Sequence, residues 1–112
     1  MTYVQKVLII GAGGIGSAVA REIVTSGGKA FLAGRNVETL QKCASELNCE
    51  WGTLEATEAA SVDECCEKAF ENLQGLTGVV NCVGSILLKP AHLTTSEEWH
   101  ETISANLTSA FH

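Results

Sequence analysis

Ten residues near the amino terminus constrain this chain more than any others: Val7-Leu8-Ile9-Ile10-Gly11-Ala12-Gly13-Gly14-Ile15-Gly16. Four consecutive apolar residues, three of them β-branched, predict a strand buried on both faces. Glycines at 11, 13 and 16 follow at once, in G-x-G-x-x-G spacing. An amphipathic segment, residues 15–26, comes next. In a strand-turn-helix unit each glycine has a separate task. Gly11 permits the tight turn, Gly13 lets backbone approach a pyrophosphate with no Cβ between, and Gly16 lets the helix pack closely. The unpaired N–H groups of Gly14, Ile15 and Gly16 at the helix start then face an anion. The bare motif is a weak signal, but its place directly after a buried strand makes it a strong one.

The same stretch imitates a secretory leader. Lys6, an apolar run and Ala18-Val19-Ala20 have the required order. The glycines oppose that reading, because they interrupt the run where a leader should be helical and greasy. The pattern also continues in phase as strand and helix. The cytoplasm is the expected location.

The 112 residues suffice for one domain or part of one, and a hydrophobic content of 46% can build a core. The net charge of −6 has no basic cluster within it, which argues against nucleic acid as a partner. No apolar run approaches the length of a membrane span, so no membrane partner is expected. The five cysteines, Cys43, Cys49, Cys65, Cys66 and Cys82, form no C-x-x-C pair. None takes a zinc spacing with His92, His100 or His112, so no metal site is expected. They read as small buried hydrophobes in a reducing compartment.

Strands and helices alternate along the chain. Strands are expected at residues 4–10, 29–33, 50–54 and 78–83. Helices are expected at residues 14–26, 37–47, 62–73 and from 96 onward, the last still running at His112. Gly27-Gly28 suits a left-handed cap. Asn36 can cap the second helix. Ser61-Val62-Asp63-Glu64 and Thr95-Ser96-Glu97-Glu98 each read as a capping box. The loop at residues 84–94 carries the sole proline, Pro90. This β-α-β-α-β-α-β-α order predicts an α/β fold with a parallel sheet and right-handed crossovers. It corresponds to the first half of a doubly wound dinucleotide fold, with strand order 3-2-1-4.

Several motifs now align with one family. Gly14-Ile15-Gly16 resembles the end of the Gly-rich loop of short-chain dehydrogenases/reductases, although the loop here is one residue shorter and Ile10 replaces the family's threonine. Asn81-Cys82-Val83-Gly84 resembles that family's N-N-A-G with two departures. There the resemblance implies that Gly84 leaves space beside the ribose and nicotinamide and that Asn81 ties neighbouring strands together. The plainer reading is a buried strand end with a turn glycine. Glu55-Ala56-Thr57 stands where the family often has an aspartate that contacts adenine. It reads equally as a solvated loop carboxylate. Asn106, in Ser104-Ala105-Asn106-Leu107-Thr108, matches the helix-four asparagine that holds a water in the family's proton relay. It also reads as a plain helix asparagine, or as part of a glycosylation sequon that its helical position disfavours.

In this fold the residue closing strand two selects the cofactor. An acidic group accepts from the NAD ribose, whereas an arginine binds the NADP 2′-phosphate. Here the strand closes Leu32-Ala33-Gly34-Arg35-Asn36, with no acid at Gly34 and a planar cationic fork at Arg35. NADP(H) is therefore favoured, with NAD(H) left open; the plain alternative is that Arg35 is a solvated helix-start residue.

The resemblance covers essentially the whole chain. It implies a single Rossmann NAD(P)-binding domain of which residues 1–112 are the N-terminal part, ending inside helix four. The implied activity is NADP(H)-dependent hydride transfer on a carbonyl or alcohol. The family's general acid is a tyrosine four residues before a lysine, and no Y-x-x-x-K exists here. The only tyrosine is Tyr3, ahead of strand one. Of the family's catalytic tetrad only Asn106 is matched, so these residues alone are expected to be inactive. The alternative is a nucleotide-binding or regulatory module without chemistry. Ile86-Leu87-Leu88 reads either as a cleft mouth or as core. Trp99, Ile103, Leu107, Ala110 and Phe111 recur at helical spacing, and the resemblance implies a homo-oligomer through that helix.

Overall fold

The computed structural model describes residues 4–112. The lone Tyr3 therefore lies outside the described residues. Among them, four parallel strands form one sheet: β1 (Lys6–Ile10), β2 (Lys29–Gly34), β3 (Glu50–Thr53) and β4 (Gly78–Asn81), in the order β3-β2-β1-β4. Between them run α1 (Gly14–Thr25), α2 (Val37–Leu47) and α3 (Ala59–Leu73). After β4 come a 3-10 turn (Ala91–Leu93), α4 (Ser96–Ile103), a π-helical turn (Ser104–Thr108) and a last helical turn, α5 (Ser109–Phe111). The expected fold class and strand order hold.

Side-chain alternation explains why β1 is apolar throughout. Leu8 and Ile10 point into a cluster with Phe31, Val62, Ala69 and Leu73, on the face that α3 covers. Val7 and Ile9 point the other way, into a cluster with Ala20, Leu32, Leu40 and Ala44, beneath α1 and α2. Both faces of the strand are dry, so neither set of positions can be polar. Four of the cysteines pack on these clusters as partly buried neighbours and Cys65 lies within one. Burial pushes the Cys65 thiol up to about 11 and raises those of Cys49 and Cys66, which suits packing rather than reactivity.

Several boundaries differ from expectation, each for a local reason. Strand one begins at Lys6 rather than residue 4, because the ladders start at Lys6↔Lys29 and Val7↔Gly78. Strand four stops at Asn81 rather than residue 83, where β1 reaches its glycine turn. Helix three begins at Ala59, one turn before the expected capping box. Its first bond runs from the Val62 N–H to the Glu58 carbonyl, and no side chain caps it. The Ser61 hydroxyl is occupied elsewhere, accepting from the Glu55 N–H at 2.9 Å. The other caps form as read. Asn36 Oδ1 accepts from the Thr39 N–H, Thr95 and Glu98 form a reciprocal box, and Gly27 takes φ +90° after α1.

Helix four runs from Ser96 to Phe111, but not as an uninterrupted α-helix. Asn106 Nδ2 donates to the Thr102 carbonyl at 2.9 Å. That carbonyl is the acceptor the Asn106 backbone N–H would use in an α-helix, so the chain widens into the π turn. Ile86 and Leu88 stand exposed, Leu88 at 93%, so this triplet is not core.

Candidate functional site

Three strand ends meet at Gly11. Its N–H donates to the Ala33 carbonyl at 2.7 Å, and the Cys82 N–H donates to the Ile10 carbonyl at 2.7 Å. Gly11 has φ +98°, and a Cβ there would stand 3.1 Å from the Cys82 carbonyl carbon and oxygen. Both conformation and crowding thus require glycine. Gly16 is needed for a different reason. A Cβ on it would overlap the Gly11 carbonyl oxygen and touch the Ile9 side chain at 3.5 Å. The helix therefore packs on its own turn as well as on the sheet. Gly13 is the opposite case, because a Cβ there would meet nothing within 4 Å. The first intrahelical bond joins the Ser17 N–H to the Gly13 carbonyl. The N–H groups of Gly14, Ile15 and Gly16 consequently begin α1 with no acceptor inside the helix.

Next to this turn a cleft of about 380 Å³ runs across the carboxyl ends of β1, β2, β3 and β4. β1 lies between β2 and β4, so the chain reverses direction of build here, the place where open α/β sheets offer a crevice. Of the residues singled out from sequence, Gly11, Gly13, Arg35, Asn36, Glu55, Ala56 and Gly84 line it. Gly14, Ile15 and Gly16 stand behind it on the first turn of α1, with the Ile15 side chain exposed. Asn81 and Asn106 do not line it. Asn81 Oδ1 accepts from the Val83 N–H at 3.0 Å, so it closes its own turn rather than bridging strands. Asn106 Oδ1 accepts from the Ser85 N–H at 2.9 Å and its Nδ2 donates to Ser85 Oγ at 3.2 Å. Asn106 thereby fastens the loop after β4 to the π turn. Both its amide oxygen and its amide nitrogen are engaged.

At the far wall Arg35 Nη1 lies 4.0 Å from Glu55 Oε2. Glu55 Oε1 accepts from the Thr57 hydroxyl at 2.9 Å. Ala56 is buried, and its carbonyl lies 3.1 Å from His112 Nδ1. Ser85 and Thr39 also line the cleft and were missed from sequence, as was the hydroxyl contact of Thr57. Thr57 had a readable signal, a hydroxyl two residues after an acid in a turn. Ser85 had none, since its partner lies 21 residues away.

A larger hollow, about 610 Å³, lies between the loop and α4, lined by Leu87, Lys89, Trp99 and His100 among others. It is remote from the glycine turn, and its lysine is already paired, with Lys89 Nζ 2.8 Å from Glu98 Oε1. The smaller cleft is the candidate site because it alone joins strand ends, unpaired helix N–H groups and an exposed cation.

A family model described as short chain dehydrogenase matches residues 5–112. The chain belongs to the short-chain dehydrogenases. Curated relatives of this short-chain dehydrogenase include the uncharacterized oxidoreductase YuxG of Bacillus subtilis (strain 168), 34% identical over 107 residues and covering 88% of this chain. An uncharacterized oxidoreductase of Staphylococcus aureus (strain USA300) is 34% identical over 108 residues and covers 92%. The chain spans only 16% and 47% of the lengths of these two relatives. Two solved structures share the fold. An actinorhodin polyketide ketoreductase variant crystallised with NADPH has a TM-score of 0.89 at 23% identity, covering 96% of this chain and 44% of its own. A Brucella melitensis 3-ketoacyl-(acyl-carrier-protein) reductase complexed with NADH has a TM-score of 0.89 at 22% identity, covering 96% and 46%. Among the described residues of this short-chain dehydrogenase no helix is long and apolar enough to cross a membrane.

Proposed function

We propose that the cleft binds a nicotinamide adenine dinucleotide, NADP(H) in preference to NAD(H). Residues 1–112 would then form the N-terminal part of a single Rossmann domain in an oxidoreductase acting on a carbonyl or alcohol. Open space at Gly13, beside the unpaired N–H groups of Gly14, Ile15 and Gly16, supports a pyrophosphate there. Buried Ala56 and the Glu55 loop suit an adenine, while the Gly84 backbone lines the wall near β4, where a Cβ would stand 2.9 Å from Asn106 Oδ1. Asn81 shapes that wall through its turn. Asn106 acts as a positioning residue, because its amide is committed to Ser85 and Thr102. When bound, the nicotinamide would supply the hydride acceptor or donor; this chain's residues bind and orient it.

The single observation that carries the cofactor choice is Arg35, exposed at the end of β2 with no acid at Gly34. The two fold neighbours were crystallised with NADPH in one case and NADH in the other, so the fold is compatible with either. Titration calorimetry on the purified protein tests it. Arg35→Ala should weaken NADPH by about 1.5–3 kcal/mol, the worth of a charge-assisted contact, and leave NADH nearly unchanged. Equal losses for both would reject the preference.

No Y-x-x-x-K lies within these residues, so none of them supplies the tyrosine acid that the family resemblance implies. The 112 residues alone should show no saturable oxidation of NADPH with ketones or quinones. Turnover by the sequence-verified chain would demand a different acid. Five unpaired thiols support a reducing compartment, the cytoplasm.

A further inference from the structure

Arg35 and Glu55 come from different strand ends, yet the fold brings them together across the mouth of the cleft. The Leu54 N–H donates to the Gly34 carbonyl at 2.8 Å, which holds the end of β3 against the end of β2. The Glu55 backbone N–H is fixed by Ser61 Oγ at 2.9 Å, and its Oε1 by the Thr57 hydroxyl at 2.9 Å. The carboxylate is therefore positioned, with Oε2 turned to Arg35 at 4.0 Å. Arg35 is not held in this way. Its side chain is 80% exposed against 36% for Glu55, and among the described residues Glu55 is its one ionic partner.

We propose that Glu55 is a specificity-determining residue whose carboxylate competes with a nucleotide 2′-phosphate for Arg35. This deepens the NADP(H) reading and rests on it. A 2′-phosphate brings about one and a half to two negative charges to a guanidinium that already faces an anion. The two anions repel, and the fixed one cannot retreat without breaking its Thr57 bond. A ribose bearing a 2′-hydroxyl brings no such charge. Glu55 thus narrows the preference that Arg35 creates, and leaves room for the unphosphorylated cofactor.

Adenosine 2′,5′-bisphosphate and adenosine 5′-monophosphate differ only in the phosphate at issue, so they are the probes. Both are titrated into the purified chain, its Glu55→Gln, its Arg35→Ala and the double variant, with thermal melts to verify folding. Glutamine keeps the shape of Glu55 and an acceptor for Thr57. Glu55→Gln should tighten the bisphosphate by about two- to fivefold relative to the monophosphate, the range of an exposed ion pair. The gain should shrink in the Arg35→Ala background and at high salt. Equal weakening of both nucleotides would overturn the proposal and make Glu55 an adenine acceptor. No change in either, with Arg35→Ala still selective for the bisphosphate, would overturn the proposal and spare the NADP(H) reading. If Arg35→Ala affects both nucleotides alike, that reading falls and takes the proposal with it.

Discussion

Gly13 and Gly16 lie three residues apart on one turn, and substitution should separate their tasks. Gly13 has extended backbone at φ −73° that any residue adopts, and open space where its Cβ would be. Gly13→Val should therefore leave the fold intact while its branches block the approach to the helix N–H groups. We expect nucleotide binding to weaken by at least the worth of a charge-assisted contact, ~1.5–3 kcal/mol, with an unchanged melt. Gly16→Ala should do the reverse damage first. Its methyl overlaps the Gly11 carbonyl, so the turn or the helix must shift, at about 1–3 kcal/mol by urea denaturation. If Gly16→Ala melts like the parent, the helix is less closely seated than the geometry requires. The glycine spacing was legible because steric demand sits on single residues. The partners of Glu55 and Asn106 were not, because each is chosen by a strand end or loop that only the finished fold brings near.

At the scale of elements, what the sequence revealed was alternation. Periods of 2 and 3.6 reflect burial, and burial here follows the layers of the sheet. Element starts were less legible where hydroxyls had competing uses. Thr95 caps α4 as read, whereas Ser61 serves the Glu55 loop and leaves α3 to begin on Ala59-Ala60. The start of α4 carries a pH signature. The Lys89 ammonium hydrogen bond, and then the Thr95 N–H, hold the Glu98 carboxyl down at about 2 from an ordinary 4.5. Its folded pKa lies below the unfolded one. The stabilisation is thus fully present above about pH 4.5 and lost as pH falls toward 2. Glu98→Gln should lower the melting temperature slightly at neutral pH, and the two curves should converge between pH 4.5 and 2. A gap that persists at the acid end would mean that the glutamate acts by packing instead of charge. The site is solvent-facing, so added salt should narrow the gap as well.

The whole molecule is more extended than its core requires. Its radius of gyration is 15.3 Å and its extents are 56 × 26 × 25 Å. A compact chain of this length would have a radius near ~13 Å. The excess lies in the helical arm after β4, since α4 packs chiefly on its own continuation. Trp99, Leu107 and Phe111 are exposed along that arm, and Ile103 is only half-buried. β4 pairs with β1 on one side, and among the described residues no strand pairs with the other, so its outer backbone groups are open and Val79 is exposed. Charged residues commonly blunt such an edge, yet Gly78-Val79-Val80-Asn81 carries none. An apolar helix face and an unguarded edge on one sheet both favour association. The 112-residue chain is therefore expected to self-associate and to melt over a broad, concentration-dependent range. In a longer chain that covers the edge, association should narrow to a defined homo-oligomer through α4. Size-exclusion chromatography with light scattering distinguishes the outcomes. Trp99→Glu, which places a charge on the exposed face without touching the core, should shift the 112-residue chain toward monomer. A parent chain that elutes as a monomer with a sharp melt would mean that the arm folds back on the sheet in solution and shields both surfaces.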